Sequence, residues 1–147
     1  RMPRMWCICF SIWATCASVF RLTDRDGVMS IDPKIRDLGA CMNSKGFKTY
    51  ASCQGHGLPV RDQLPYVAFL CQLSAAQSLA RVVRHDAEAT EPRLYWGWEV
   101  TAGFNASFEL CYRLSPTNPH HYIYQYWRGS LDHDFRYLRH VLKGTFH

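Results

Sequence analysis

The chain has 147 residues, enough for one domain with a sizeable core. Hydrophobic residues at 48% and charged residues at 20% fit an ordinary globular protein, and no repeat or low-complexity tract interrupts them. The formal net charge of +5 is scattered, with no run of five or six basic residues, so it admits nucleic acid or acidic ligands without arguing for either.

Residues 1–28 differ from the rest. A basic start and an apolar run from Met5 to Phe20 have the shape of a leader, yet the run is short of the roughly 20 apolar residues a membrane span needs. Met29 then precedes a well-capped helix. Residues 1–28 are therefore expected to be an upstream extension or leader, and 29–147 a single domain. A true signal peptide would make the protein secreted; otherwise a cytoplasmic location is expected. Four cysteines (Cys41, Cys53, Cys71 and Cys111) lie in apolar patterns with no C-x-x-C pair, which reads as buried reduced thiols.

Asp32 followed by Pro33 predicts a helix start, and Ile31, Ile35, Leu38 and Met42 form one apolar stripe ending near Gly46. Residues 47–53 alternate as a strand, with Phe47, Thr49, Ala51 and Cys53 on one face. A loop bracketed by Pro59 and Pro65 leads to an apolar strand, 65–71. Ser74 is placed to cap a second helix carrying Ala76, Leu79 and Val83, and 84–92 reads as a charged surface connection. Residues 93–100 and 106–114 form a predicted hairpin, and Ser115–Pro119 reads as a breaker. Residues 120–127 then alternate like a strand, with Tyr122, Tyr124 and Tyr126 on one side. Ser130 caps a last helix bearing Leu131, Phe135, Leu138 and Leu142, with Asp132 and Asp134 in its first turn, where the macrodipole favours anions. The expected fold class is α+β: a two-layer sandwich with three helices on a mixed or antiparallel sheet of about five strands.

Between the first two strands, Ser52, Cys53, Gln54, Gly55 and His56 carry the densest chemistry. Cys53 and His56 have the spacing of half a zinc site, but no second pair is fixed, so no metal is expected. A thiol beside an imidazole is also the pairing of a cysteine nucleophile, although Cys53 sits among core-facing positions. The third reading is a cradle: Gly55 and Gly57 turn the backbone so that amides converge on an anion, with Ser52, Gln54 and His56 adding side-chain hydrogen bonds. This cradle, binding a small anionic or nucleotide-like ligand, is the favoured reading. A second candidate set is Tyr122, Tyr124, Tyr126 and Arg128, which suit base stacking and phosphate contact.

Residues 32–83, a helix, a strand entering Ser-Cys-x-Gly and a strand leading into a second helix, resemble the methyltransferase family of tRNA wybutosine synthesis. His56 stands where that family has arginine, and Gln54 where it has the middle serine of its loop. The resemblance implies S-adenosylmethionine as cofactor and RNA or a nucleotide as acceptor. Two functions are thus expected: a non-catalytic ligand-binding accessory or interaction module, with methyl transfer from S-adenosylmethionine as the alternative.

Overall fold

The computed structural model describes residues 33–53, 55 and 58–146, which belong to one unit, Asp32–His147. The leader reading, the Met29 start, Asp32, Gln54, His56 and Gly57 lie outside the described residues. Helix α1 (Pro33–Ser44) leads to β1 (Lys48–Cys53), and a 3-10 turn (Val60–Asp62) precedes β2 (Tyr66–Leu70). Helix α2 (Leu73–Glu88) is followed by the hairpin of β3 (Trp96–Phe104) and β4 (Leu110–Pro119). A 3-10 turn (Tyr122–Tyr126) then enters α3 (Gly129–Thr145). The sheet is antiparallel throughout and open, in the order β1-β2-β4-β3. Three helices and one antiparallel sheet make the α+β sandwich the patterning implies. None of the described helices is long and apolar enough to cross a membrane.

Among the described residues the sheet has four strands, not about five. Residues 120–127 form the 3-10 turn, and Ser115–Pro119, read as a breaker, is the end of β4. The reason is the uneven reach of the neighbours. β2 pairs with β4 only as far as Leu114, whereas β3 follows it to Pro119. Beyond Leu114 one side of β4 has no partner among the described residues, and prolines are tolerated on such an edge. The chain then turns, with Tyr124 N–H donating to His121 O (3.1 Å) and Trp127 N–H to Tyr124 O (3.2 Å). His121 Nδ1 accepts from Ile123 N–H (3.3 Å), a local bond that competes with a ladder.

A bulge in β1 corrects a second expectation. Thr49 lies opposite Phe69 but Ala51 lies opposite Ala68, with Tyr50 inserted between. One extra residue exchanges the faces, so Phe47 and Thr49 do not share a side with Ala51 and Cys53. On the helix side, Phe47 makes edge-on contacts with Phe69 and Phe146 (5.5 and 5.0 Å between centroids), and Phe69 stacks on Tyr112 (5.8 Å). Each such ring contributes about 1.5–3 kcal/mol by leaving water. On the other side Tyr66, Ala68 and Cys111 are buried, and the Arg113 guanidinium sits 4.3 Å over the Tyr66 ring. Cys41, Cys53 and Cys111 are buried thiols outside any disulfide, and Cys71 is half-buried.

Helix α2 also outruns its expected end. It continues to Glu88, and Asp86 accepts from the backbone N–H groups of Arg93 and Leu94 (3.0 and 3.1 Å), folding the connection back onto the helix. Ser74 lies inside the helix, with Gln72 at its N-cap.

Candidate nucleic-acid interface

The candidate surface is built on a clamp between α3 and the start of β3. Asp134 follows Leu131 by three residues and precedes Leu138 by four, so helical periodicity turns it to the core with them. Its carboxylate is fully buried. Oδ1 accepts from Tyr95 N–H (2.8 Å) and faces His133 Nδ1 at 3.0 Å. Oδ2 accepts from Trp96 N–H and from the Trp98 indole N–H, both at 2.9 Å. Burial raises the Asp134 pKa above the usual aspartate value, against the pull of the Trp98, Tyr95, His133 and Trp96 bonds. One turn earlier, Ser130 Oγ accepts from Trp96 Nε1 (2.9 Å) and lies 2.7 Å from Trp127 O and 3.0 Å from Tyr124 O. Ser130 is therefore not the helix cap. It is a fully buried junction inside α3, joining an indole to the 3-10 turn.

This clamp fixes a row of rings. With its backbone N–H on Asp134, the Tyr95 ring lies nearly parallel to Tyr124 (4.6 Å, 12°) and to His133 (4.0 Å, 13°). The row continues from His133 to Tyr137 (6.5 Å, 5°) and on to His140 (6.3 Å). At its other end Tyr124 meets His121 (6.0 Å), which stacks on Tyr122 (4.8 Å). Trp127 flanks both Tyr95 (6.0 Å) and Tyr124 (6.4 Å). Its indole lies so close against Gly129 that a methyl group there would displace it. Tyr122 is 69% exposed and Trp127 52%, and Tyr126, next to Trp127 in the chain, is 59% exposed.

One arginine bonds a ring of the row, and another follows Trp127 in the chain. Arg93 Nη1 donates to Tyr137 Oη (3.3 Å), beside a groove of about 270 Å3 floored by Val82, Val83, Leu94, Leu138 and Val141. Arg128 Nη2 donates to Gly55 O (3.1 Å). That bond brings the two sequence-derived candidate sets together, since Gly55 belongs to the loop and Arg128 to the aromatic segment.

The individual residues land as follows. Ser52 is half-buried opposite Val67, and Cys53 is 8% exposed opposite Tyr66. Gly55 is buried with φ +76°, and a Cβ on it would lie 2.5 Å from Gln63 O and 3.0 Å from the Pro65 nitrogen. Only glycine fits there, on two independent counts. Tyr122, Tyr124 and Tyr126 do not form the expected one-sided ladder: in a 3-10 turn Tyr124 packs inward on Tyr95 while the other two face solvent. His133 is stacked on Tyr95 and bonded to Asp134. No group of three or more His, Cys, Asp or Glu able to hold a metal occurs among the described residues.

Asp134, Ser130 and Tyr95 are the members that motif reading missed. The available signal was a carboxylate and a hydroxyl on the apolar stripe of the last helix, with two tryptophans elsewhere carrying indole N–H groups that need acceptors when buried. Compared with family models, curated proteins and solved structures, the chain matches none.

Proposed function

We propose that this chain is a non-catalytic binding module for nucleotide-like ligands, and that its preferred form of that ligand is single-stranded RNA laid along the aromatic row. The observation that carries the reading is the continuous run of rings from Tyr122 to His140, with Tyr122 and Trp127 left open, the exposed Tyr126 next to Trp127 in the chain, and Arg93 bonded to Tyr137. Every base has a π-face, so exposed rings on a rigid support receive successive bases with little sequence preference. From the loop between β1 and β2, the Gly55 carbonyl holds Arg128, the residue after Trp127, as a candidate phosphate contact. S-adenosylmethionine carries an adenine and enters as the ligand of the alternative, methyl-transfer reading; it belongs in the same assay.

The test is a titration of tryptophan fluorescence with a single-stranded oligonucleotide, with adenosine monophosphate and with S-adenosylmethionine. The module reading predicts quenching by the oligonucleotide, with affinity falling as salt rises because bound phosphates release counterions. A thermal shift with S-adenosylmethionine and none with the oligonucleotide would favour the methyltransferase instead. Saturation at 100 times the dissociation constant adds about 2.7 kcal/mol to stability. No response to any of the three sinks both readings.

A further inference from the structure

We infer that two copies of this chain pair through the outer edge of β3, antiparallel about a two-fold axis at Ala102, to give one continuous eight-stranded sheet. The edge is the first observation. Among the described residues β3 pairs only with β4, and its other side carries backbone groups that no described strand takes up. Edge strands are commonly blunted with lysine, proline or a bulge, because an open edge recruits another strand. The segment Val100-Thr101-Ala102-Gly103-Phe104 has none of these, and its register with β4 is unbroken from Trp98 to Phe104.

Which groups point outward follows from the hairpin. Asn105 N–H donates to Glu109 O (3.0 Å) and Asn105 O accepts from Phe108 N–H (3.0 Å), so Asn105 turns its polar groups inward. Alternation along an antiparallel ladder then turns Gly103 and Thr101 toward β4 as well. Val100, Ala102 and Phe104 are left with N–H and C=O directed away from the sheet. Three outward residues, each matched to one on the second copy, supply roughly six backbone hydrogen bonds, two per bonded pair.

Side chains select the register. Placing Ala102 opposite the Ala102 of a second copy puts Phe104 opposite Val100, and Glu99 opposite Asn105. Val100, Ala102 and Phe104 share the helix-side face, where their β4 partners are Leu114, Tyr112 and Leu110. Phe104 is 65% exposed and Leu110 47%, an apolar pair that the described helices leave uncovered. In the paired arrangement each Phe104 packs on the other copy's Val100, a cross-strand aromatic and β-branched pair of the favourable kind. No like charges meet: Glu99 is the one charged residue of β3, and it faces an asparagine. The open side of Gly103, where an added Cβ would meet nothing within 4 Å, leaves room for the Thr101 opposite it. The surface is therefore self-complementary in backbone, apolar contact and charge, as a two-fold interface requires.

The experiment uses the full chain at 1–100 μM, a range of about two decades, in sedimentation velocity and light scattering. The expected species has twice the 17.1 kDa of one chain. Two substitutions should return it to monomer while leaving the circular dichroism spectrum unchanged: Phe104→Lys, which guards the edge, and Ala102→Pro, which removes only an outward N–H. The register is read by Ala102→Cys. Bonded antiparallel partners have Cα atoms about 5.5 Å apart, within disulfide reach, so mild oxidation should give a covalent dimer on a non-reducing gel. Wild-type chain and Gly103→Cys are the controls and should cross-link at least tenfold less, roughly, since Gly103 meets Thr101 and not itself. A monomer at every concentration overturns the inference. So does a dimer that persists in both edge variants and fails to cross-link at Ala102, because the contact then lies on another face.

Discussion

The two ends of the β3–β4 hairpin are built on opposite terms. At its base Trp96 and Trp98 are buried, both indole N–H groups are accepted, and the Asp134 carboxylate takes two backbone and two side-chain donors. At its tip Phe104, Phe108 and Leu110 stand in solvent, Phe108 at 85% exposure. Phe108 also has φ +60°, at the point of a three-residue loop where glycine is the usual occupant. Asn105 imposes this shape, its Oδ1 accepting from the backbone of Ser107 and Glu109 (both 2.9 Å). The base is closed on its own acceptors and the tip is left open. One short hairpin can be both because the clamp anchors it at one end only.

Breaking the base should give the largest effect. Asp134→Ala leaves two backbone N–H groups and an indole N–H buried without an acceptor, and should cost roughly 3–5 kcal/mol in urea unfolding. That is a large share of the stability of a domain this size. It should also loosen the Tyr95 ring, so near-ultraviolet dichroism should fall more than far-ultraviolet.

Next comes Gly55→Ala, which forces a positive φ on a residue with a Cβ and drives that atom against Gln63 O. The expected loss is about 2 kcal/mol, seen as a lower melting temperature. A neutral result would mean the backbone relaxes and Arg128 is not held by that carbonyl.

The pH dependence sharpens the comparison further. The folded pKa of Asp134 is raised above the usual value of 3.8, burial being the larger cause. The folded state therefore binds this proton more tightly than the unfolded chain. Its contribution to stability is fully present below the unfolded pKa and is lost as pH rises through the raised one. Measured against Asp134→Asn, which cannot titrate, the stability advantage of the natural chain should shrink from pH 4 upward across that window. An advantage that grows with pH would reverse the assignment of burial as the leading cause.

The smallest effect belongs to the tip, and it has the opposite sign. Phe108→Gly removes a strained backbone and no buried contact, so it should raise stability by about 1 kcal/mol. A loss instead would show that the Phe108 ring packs on something that stabilises the fold.

Most of the architecture was legible because the apolar periods are clean. The stripe of α1, the apolar run of β2 and the face of α3 each name their element without ambiguity. The errors came where tertiary partners overrule a local pattern. The alternation of residues 120–127 is real, but the local bond from Ile123 N–H to His121 and ring packing on Tyr95 decide the segment's shape. The bulge at Tyr50 carries no sequence signature of its own, so the faces of β1 were assigned as if the alternation ran unbroken. The candidate site was half visible. Its exposed tyrosines and Arg128 stand out as residue types, whereas Asp134 and Ser130 look locally like helix-start residues. Only the arrival of β3 from some forty positions earlier reveals them as acceptors.

The central claim is that the aromatic segment entering α3, held by the clamp, presents Tyr126 and Trp127 to single-stranded nucleic acid. Fluorescence anisotropy of a labelled single-stranded oligonucleotide tests it most directly, titrated with the natural chain and with the Tyr126→Ala/Trp127→Ala double variant. Each stacked base is worth about 1–3 kcal/mol, so the double variant should bind at least roughly tenfold more weakly while melting at the same temperature. Equal affinity for the two proteins, or no binding by the natural chain at low salt, would contradict the account.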